Sequence, residues 1–347
     1  MSIRRAGYRF LLSHFLPAFR KIPVKRQFIT SCNENYPILV YEPWETNRRT
    51  IIAFSGFSVH GYQDERLAAV SRAFTRLGFR VVTPCIADID QLLIRPATID
   101  QFAAVIQAIH ADSHLNPTRQ SLGIFAPSYS GGVAMLASVR AAIAPRVRAI
   151  CLLGAFSDFR NVLQFTIEHQ EIDEYARYIL LRNFLQQSRF HSDEAVELLN
   201  IAIQDNGLKR KKPLLPERLQ TASITTSQFF RQLMQDTSFR SKLSYQAFEE
   251  IDHRENWMDH FNLNGKLANV NFSVSLIHGH GDRVIPSTES VQLHEALHRL
   301  GKNSQLTLTR LLDHGDLILD REFVKEVNKL ASGFGFFIDS LRIPQLP

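Results

Sequence analysis

The sequence has few cysteines, no long apolar run and no internal repeat. Its three cysteines, Cys32, Cys85 and Cys151, are too far apart to suggest a metal cluster or a disulfide framework. We therefore expect a protein of a reducing compartment, the cytoplasm. No stretch of about 18 apolar residues occurs, so we expect no transmembrane helix. The rest of the composition, with 45% hydrophobic and 21% charged residues, is typical of a globular protein with a large core.

The excess of positive charge lies at the N-terminal end of the chain. The basic residues that precede the first acidic residue, Glu34, are Arg4, Arg5, Arg9, Arg20, Lys21, Lys25 and Arg26. The formal net charge of +6 comes from this segment, because basic and acidic residues nearly balance beyond it. The rest of the chain therefore gives no indication of nucleic-acid binding.

Residues 3–20 combine these arginines with regularly spaced apolar side chains. Two interpretations fit this pattern. The segment is either an interfacial helix in peripheral contact with the anionic inner face of a membrane, or a helix whose apolar side packs on the rest of the protein. Arg9 and His14 interrupt the apolar stretch, so we do not expect a signal peptide.

Strand patterns alternate with helical patterns in two parts of the chain. The predicted strands are residues 26–31, 37–41, 50–54, 79–83, 122–125, 147–153, 271–278 and 305–310. This alternation predicts an α/β protein with a mostly parallel, doubly wound sheet. From 159 to 269 the pattern is helical throughout. We therefore divide the chain into a basic amphipathic arm (1–25), a core (26–158 and 270–347) and a helical insertion (159–269).

Residues 122–136, with the sequence LGIFAPSYSGGVAML, predict a strand that turns abruptly into a helix. Such a turn exposes its central side chain above a helix N-terminus, whose free N–H groups favour negative charge. Ser128 stands at this turn and is the candidate nucleophile. Ser130 is an alternative because small residues flank it in the same way, but the strand register places it in the first helical turn.

A serine hydroxyl becomes a good nucleophile when a base lies within hydrogen-bond reach and a carboxylate orients that base. His314 follows the predicted strand 305–310, and Asp282 follows 271–278. Parallel strands end at one edge of the sheet, so we expect Ser128, Asp282 and His314 to meet there. Asp158, which follows 147–153, is an alternative carboxylate.

The small-residue loop at residues 55–61 follows the first central strand. The backbone N–H of Phe57 and that of Tyr129 are the candidate donors of an oxyanion hole. His60, His278 and His280 have no spacing typical of a metal site with Asp282, so we expect no metal. No cofactor is implied.

The order Ser128, Asp282, His314, the helical insertion and the segment IHGHGDRVIP together resemble the α/β-hydrolase family. The resemblance covers about residues 26–341 apart from the insertion, which in that family is a cap over the active site. The segment Ser55-Gly56-Phe57 is similar to the family loop that usually reads His-Gly-x. Ala126 and Ser130 replace the two glycines of the usual G-x-S-x-G turn. The resemblance implies a serine hydrolase.

We expect such an enzyme to cleave a carboxylic ester with an apolar acyl part through an acyl-enzyme on Ser128. The sequence leaves open a peptidase, thioesterase or acyltransferase that uses the same three residues, and a binding protein with a degenerate site. It does not indicate an oligomeric state. Six aromatic residues of the insertion are candidates for lining an acyl pocket: Phe165, Tyr175, Tyr178, Phe184, Phe229 and Phe230. Aromatic residues at helical spacing are more often part of the core.

Overall fold

One eight-stranded sheet organises the chain. A computed structural model describes residues 3–15, 21–32, 34–44, 49–312 and 321–342. The strands are β1 (Val24–Ser31), β2 (Glu34–Tyr41), β3 (Thr50–Ala53), β4 (Arg80–Pro84), β5 (Leu122–Pro127), β6 (Val147–Leu153), β7 (Ser273–Gly279) and β8 (Ser304–Thr309). Their order is β1-β2-β4-β3-β5-β6-β7-β8. β1 and β2 form an antiparallel hairpin at one edge. The other six strands, β3 to β8, are parallel to one another. The predicted mostly parallel sheet is confirmed.

Helices cover both faces of this sheet. The α-helices of the described ranges are α1 (Ile3–Phe15), α2 (Glu65–Arg76), α3 (Ala87–Asp90), α4 (Ala97–Ala111), α5 (Tyr129–Ser138), α6 (Phe159–Glu168), α7 (Glu174–Gln187), α8 (Asp193–Gly207), α9 (Leu215–Thr221), α10 (Ile224–Gln235), α11 (Thr237–Glu255), α12 (Trp257–His260), α13 (Thr288–Arg299) and α14 (Arg321–Ser340). α2 and α14 pack on one face, and α4, α5 and α13 pack on the other. Helices α6 to α12 lie between β6 and β7 in the chain.

Alternate residues of the central strands supply the two hydrophobic cores on either side of the sheet. In β3, Ile52 joins the core beneath α4 and α5, whereas Ile51 and Ala53 join the core beneath α2 and α14. Successive side chains of a strand point to opposite faces, so a strand covered on both sides must be apolar throughout. This requirement explains why residues 50–54 are recognisable in the sequence as a central strand.

The N-terminal helix α1 lies against α14 and α2. Its inward side buries Ala6, Phe10 and Leu11, and the Phe10 ring stacks on the Phe334 ring with centroids 4.3 Å apart. At Gly7 the two backbones approach so closely that a Cβ would lie 1.7 Å from the Ala331 carbonyl oxygen. The apolar side of α1 therefore belongs to the core. β1 begins at Val24, two residues inside the predicted arm.

None of the helices in the described ranges is both long enough and apolar enough to cross a membrane.

A buried carboxylate connects the start of the helical insertion to α13. Glu289 is fully buried, and its Oε2 accepts hydrogen bonds from the N–H groups of Ser157 (2.9 Å) and Asp158 (2.8 Å) and from the Ser157 hydroxyl (2.9 Å). Its Oε1 accepts a hydrogen bond from Asn161 Nδ2 at 2.8 Å. Hydrogen bonds to a charged group are stronger than neutral ones, so this carboxylate fixes the point at which the chain leaves β6.

We predict that Glu289→Gln lowers the free energy of unfolding by about 2 kcal/mol, because it replaces hydrogen bonds to a carboxylate with neutral ones. Urea unfolding followed by circular dichroism measures this change. Glu295→Gln, at an exposed position of the same helix, is the matched control and should change the free energy by less than about 0.5 kcal/mol. Equal effects of the two substitutions would contradict the assigned role of Glu289.

Candidate active site

Ser128 occupies the turn between β5 and α5. β5 ends at Pro127 and α5 begins at Tyr129, so Ser128 alone makes the change of direction. Its backbone has φ 54° and ψ −137°, a conformation that side-chain-bearing residues rarely adopt. Backbone strain of this kind is concentrated at functional sites, where the surrounding structure maintains it. The sharp turn predicted at Ser128 is therefore present.

Close packing behind the turn explains the two glycines that follow. A Cβ on Gly131 would lie 2.6 Å from the Ala155 Cβ, and a Cβ on Gly132 would lie 2.3 Å from the Phe156 ring. Without side chains, α5 can approach the loop that follows β6. The small residues in the predicted helix therefore reflect the packing of its first turn.

Ser130 lies close to Ser128 in the chain but in a different environment. It is completely buried, and its hydroxyl donates a hydrogen bond to the Ser55 carbonyl oxygen at 2.5 Å. Ser128 is partly exposed and lines a cavity. The Ser130 hydroxyl therefore holds the loop at residues 55–61 against α5, and Ser128 is the serine that faces open space.

Phe57 and Tyr129, the two candidate oxyanion donors, lie on the wall of the same cavity. Their rings stack with centroids 4.6 Å apart and an interplanar angle of 17°, which fixes the spacing between the loop and the start of α5. Within the described ranges neither backbone N–H donates to another group of the protein. Neither N–H is therefore engaged by the described part of the protein.

Asp64 anchors the loop that carries Phe57. The Ser58 hydroxyl donates to Asp64 Oδ2 at 2.5 Å, and Arg66 donates to both carboxylate oxygens through its side chain. Burial raises the pKa of Asp64, but the hydrogen bonds from Arg66 and Ser58 outweigh it and hold the pKa well below its usual range. Asp64 therefore stays ionised and keeps the loop in place.

Asp282 lies in the loop that follows β7, on the wall of the cavity. Its Oδ1 accepts hydrogen bonds from the N–H groups of Val284 (2.8 Å) and Ile285 (3.1 Å). Its Oδ2 lies against Gly154, where a Cβ would be only 3.2 Å away. Gly154 has φ +63° and follows β6, so a residue with a side chain there would be strained and would crowd the carboxylate.

His278 fixes the shape of the loop between β7 and α13 that carries Asp282, which we call the acid loop. It is fully buried, its Nε2 lies 2.9 Å from the Ile285 carbonyl oxygen, and its Nδ1 lies 2.7 Å from Ser290 Oγ. A carbonyl oxygen only accepts, so Nε2 carries a hydrogen. The same nitrogen is 3.6 Å from Asp282 Oδ2. His278 thus connects both ends of the acid loop to the core of the protein.

His314, the candidate base, lies outside the described residues, as does its immediate neighbour Asp313. β8 ends at Thr309, and Leu312, two positions before His314 in the sequence, lines the cavity. Of the three predicted catalytic residues, the described structure thus brings together Ser128 and Asp282.

The cavity has a volume of about 410 Å³ and mostly apolar walls. The sheet side contributes Phe125, Leu153 and Ile285, and the helical insertion contributes aliphatic residues of α6 and α7: Val162, Leu163, Ile179 and Leu180. Of the six aromatic residues suggested for this lining, Tyr175 is on the wall, whereas Phe184 and Phe230 are buried in the cores. For those two the alternative that their helical spacing favours, a position in the core, is the one observed.

Asp158, the alternative carboxylate, has another role. It caps α6 by accepting a hydrogen bond from the Arg160 N–H at 3.0 Å, and it accepts a second from Asn262. Across the described parts of the chain, no group of three or more His, Cys, Asp or Glu side chains is placed to hold a metal ion.

Sequence reasoning missed the residues that support the site. Asp64 and Glu289 lie in unremarkable helix starts, and their partners could not be read from spacing. His278 was considered only as a metal ligand. Gly154, directly after a predicted strand, had a detectable signal, since a glycine at a strand end often marks a left-handed turn or a close approach.

Comparison with known proteins identifies the fold. No protein-family model matches the chain, and no curated protein matches its sequence. Among solved structures, an acylaminoacyl peptidase in complex with Z-Gly-Gly-Phe-chloromethyl ketone is 11% identical to this chain, with a TM-score of 0.50. The match covers 90% of this chain and 40% of the peptidase chain. Uncomplexed Pyrococcus horikoshii acylaminoacyl peptidase is 12% identical, with a TM-score of 0.50, and the match covers 96% of this chain and 43% of the peptidase chain. A Pyrobaculum calidifontis esterase is 13% identical, with a TM-score of 0.46, and the match covers 96% of this chain and 90% of the esterase chain.

This chain spans about two fifths of the length of the two peptidase chains. The chain has the α/β-hydrolase fold.

Proposed function

We propose that the protein is a serine hydrolase that cleaves a carboxylic ester with an apolar acyl part. One observation carries this proposal. Ser128 lies on a strained strand-to-helix turn in an apolar cavity, and Asp282, Phe57 and Tyr129 line the wall of the same cavity. A serine that served only as a helix cap would need neither the strain nor the cavity.

In the proposed mechanism, Ser128 Oγ attacks the ester carbonyl carbon while His314 takes its proton. The N–H groups of Phe57 and Tyr129 stabilise the oxyanion, and Asp282 orients and stabilises the protonated His314. Collapse of the tetrahedral intermediate breaks the bond to the alcohol, which leaves with the proton from His314. Water, deprotonated by His314, then hydrolyses the acyl-enzyme and regenerates Ser128.

The helical insertion, residues 159–269, is the proposed cap of this site. Its helices α6 and α7 supply the aliphatic side of the cavity, where an acyl chain would lose contact with water. Besides Asp282, two carboxylates reach the wall. Asp64 is bonded to Ser58 and to Arg66, which also lies on the wall, and Asp173 caps α7 through the Tyr175 N–H. These contacts favour an apolar group over a charged one as the bound part of the substrate.

Hydrolysis of a peptide is the second candidate, because the structures that resemble this chain at a TM-score of 0.50 are named acylaminoacyl peptidases. A panel of p-nitrophenyl esters, thioesters and aminoacyl p-nitroanilides separates the two reactions. Turnover of the anilides without turnover of any ester would overturn the esterase proposal.

We predict that a fluorophosphonate probe labels the unmodified protein and Ser130→Ala but not Ser128→Ala, because Ser128 lines the cavity whereas Ser130 is buried. Gel fluorescence and mass spectrometry of the labelled peptide measure the result. Ser130→Ala also removes the hydrogen bond to Ser55, so slower labelling is compatible with the proposal. A label on Ser130, or no label on a folded protein, would contradict it.

Asp282→Asn should lower kcat for the best ester by roughly 10⁴-fold with a much smaller change in KM, because the amide no longer stabilises a protonated histidine. Steady-state kinetics measures both constants. Asp158→Asn is the matched control and should keep kcat within about threefold, since Asp158 is a helix cap and the asparagine oxygen can still accept the hydrogen bond from the Arg160 N–H. Equal losses in the two variants would contradict the assignment of Asp282.

Val162→Trp should shift the preference of the enzyme towards short acyl chains, because the indole would occupy space on the α6 side of the cavity. Losing the burial of two methylene groups corresponds to about a tenfold fall in kcat/KM for octanoate relative to acetate esters. Val324→Trp, at an exposed position of α14, should leave this ratio unchanged. An unchanged ratio in Val162→Trp would show that the acyl chain binds elsewhere.

A further inference from the structure

The outward side of α1 carries only basic and large apolar side chains. The exposed residues of this helix are Arg4, Arg5, Arg9, Leu12 and Phe15, and together they form the outer face of α1. Leu12 is 57% exposed and Phe15 is 72% exposed. α1 contains no acidic residue. A soluble helix normally exposes charges of both signs and hides its large apolar residues, so this combination calls for a partner.

The outer face is held in a fixed orientation by the inner one. Ala6, Phe10 and Leu11 are buried against α14 and α2, and the Tyr8 hydroxyl donates a hydrogen bond to Asn328 of α14. Positions 5, 9 and 12 follow the helical period and lie on one side, opposite the buried residues. The arginines and the two apolar side chains are therefore presented together on a rigid surface.

The neighbouring part of α14 continues the same chemistry. Val324, 59% exposed, and Lys325, also exposed, come one turn before Asn328. The nearby carboxylate of Glu326 is buried and is bonded to Lys329 and to the Arg310 N–H. No salt bridge joins Arg4, Arg5 or Arg9 to a carboxylate within the described ranges.

We propose that the outer face of α1 binds the surface of an anionic phospholipid bilayer. Guanidinium groups bind lipid phosphates and are attracted to an anionic surface, while Leu12 and Phe15 enter the boundary between headgroups and acyl chains. A nucleic acid would also attract the arginines, but it has no apolar layer in which the Leu12 and Phe15 side chains could be buried. This proposal is independent of the reaction at Ser128.

Flotation of the full-length protein with liposomes tests this binding at physiological ionic strength. Vesicles of phosphatidylcholine alone are compared with vesicles that also contain phosphatidylglycerol, and a short DNA duplex is titrated in parallel by fluorescence anisotropy. We expect binding to the anionic vesicles, little binding to the neutral ones and weaker binding to the duplex. Equal binding to both vesicles, absence of binding, or tighter binding to the duplex would overturn the proposal.

Two double variants test the two components of the outer face. Arg5→Gln/Arg9→Gln should weaken vesicle binding by about 30-fold, since each basic residue near an anionic surface contributes about fivefold. Lys211→Gln/Lys212→Gln removes the same charge from an exposed loop of the helical insertion and is the matched control. A loss as large in the control would show that attraction depends on total charge and would overturn the assignment to α1.

Leu12→Ser/Phe15→Ser should also weaken vesicle binding, by at least about tenfold, because burial of the two side chains in the interface is lost. Leu214→Ser/Ile224→Ser removes exposed apolar residues of the helical insertion and should leave binding unchanged. All four variants change exposed side chains, and their thermal unfolding and their turnover of a water-soluble ester should match those of the unmodified protein. Unchanged binding of the Leu12→Ser/Phe15→Ser protein would overturn the interfacial mode.

Discussion

A row of backbone hydrogen bonds along the carboxyl edge of the sheet determines where the described parts of the candidate site lie. The Phe54 N–H donates to the Phe125 carbonyl (2.9 Å), the Ser128 N–H to Leu153 (2.7 Å), the Gly154 N–H to Ile277 (2.8 Å) and the His280 N–H to Thr309 (2.9 Å). These bonds continue the parallel ladders beyond the ends of the strands. They hold the strained turn, the acid loop and the end of β8 in one register, so a slip of one strand would separate the reacting groups.

Side chains buried behind this edge hold the loops still. Ser130 and Asp64 fix the loop that carries Phe57, His278 fixes the loop that carries Asp282, and Glu289 fixes the exit of the chain towards α6. Each of them makes at least one hydrogen bond to a backbone or hydroxyl group of a neighbouring loop. A site that stabilises an oxyanion depends on donors that do not have to reorganise, so these supports matter as much as the groups that face the cavity.

The sequence was most informative where one physical requirement governs several adjacent residues. The predicted strand 147–153 has the observed bounds of Val147–Leu153, because a strand covered on both faces is apolar at nearly every position, and here only Arg148 departs from that pattern. Ser128 was preferred to Ser130 by counting along such a strand. Pairings between distant residues left no comparable pattern: Ser157 and Glu289 are 132 positions apart. The aliphatic wall of the cavity was missed for the same reason, since helical spacing identifies a buried side of α6 or α7 but not what that side covers.

The N-terminal helix shows how one pattern can support two interpretations that are compatible. Arginines and apolar residues alternate along the segment, and from the sequence either packing on the protein or contact with a membrane would explain them. In the structure the apolar residues divide into two sets: Ala6, Phe10 and Leu11 face α14 and α2, whereas Leu12 and Phe15 face outward with the arginines. The inward set makes α1 part of the fold, so removing the helix would expose core and obscure any effect on binding. Only the outward set is free to bind a surface, and substitutions there separate the two roles.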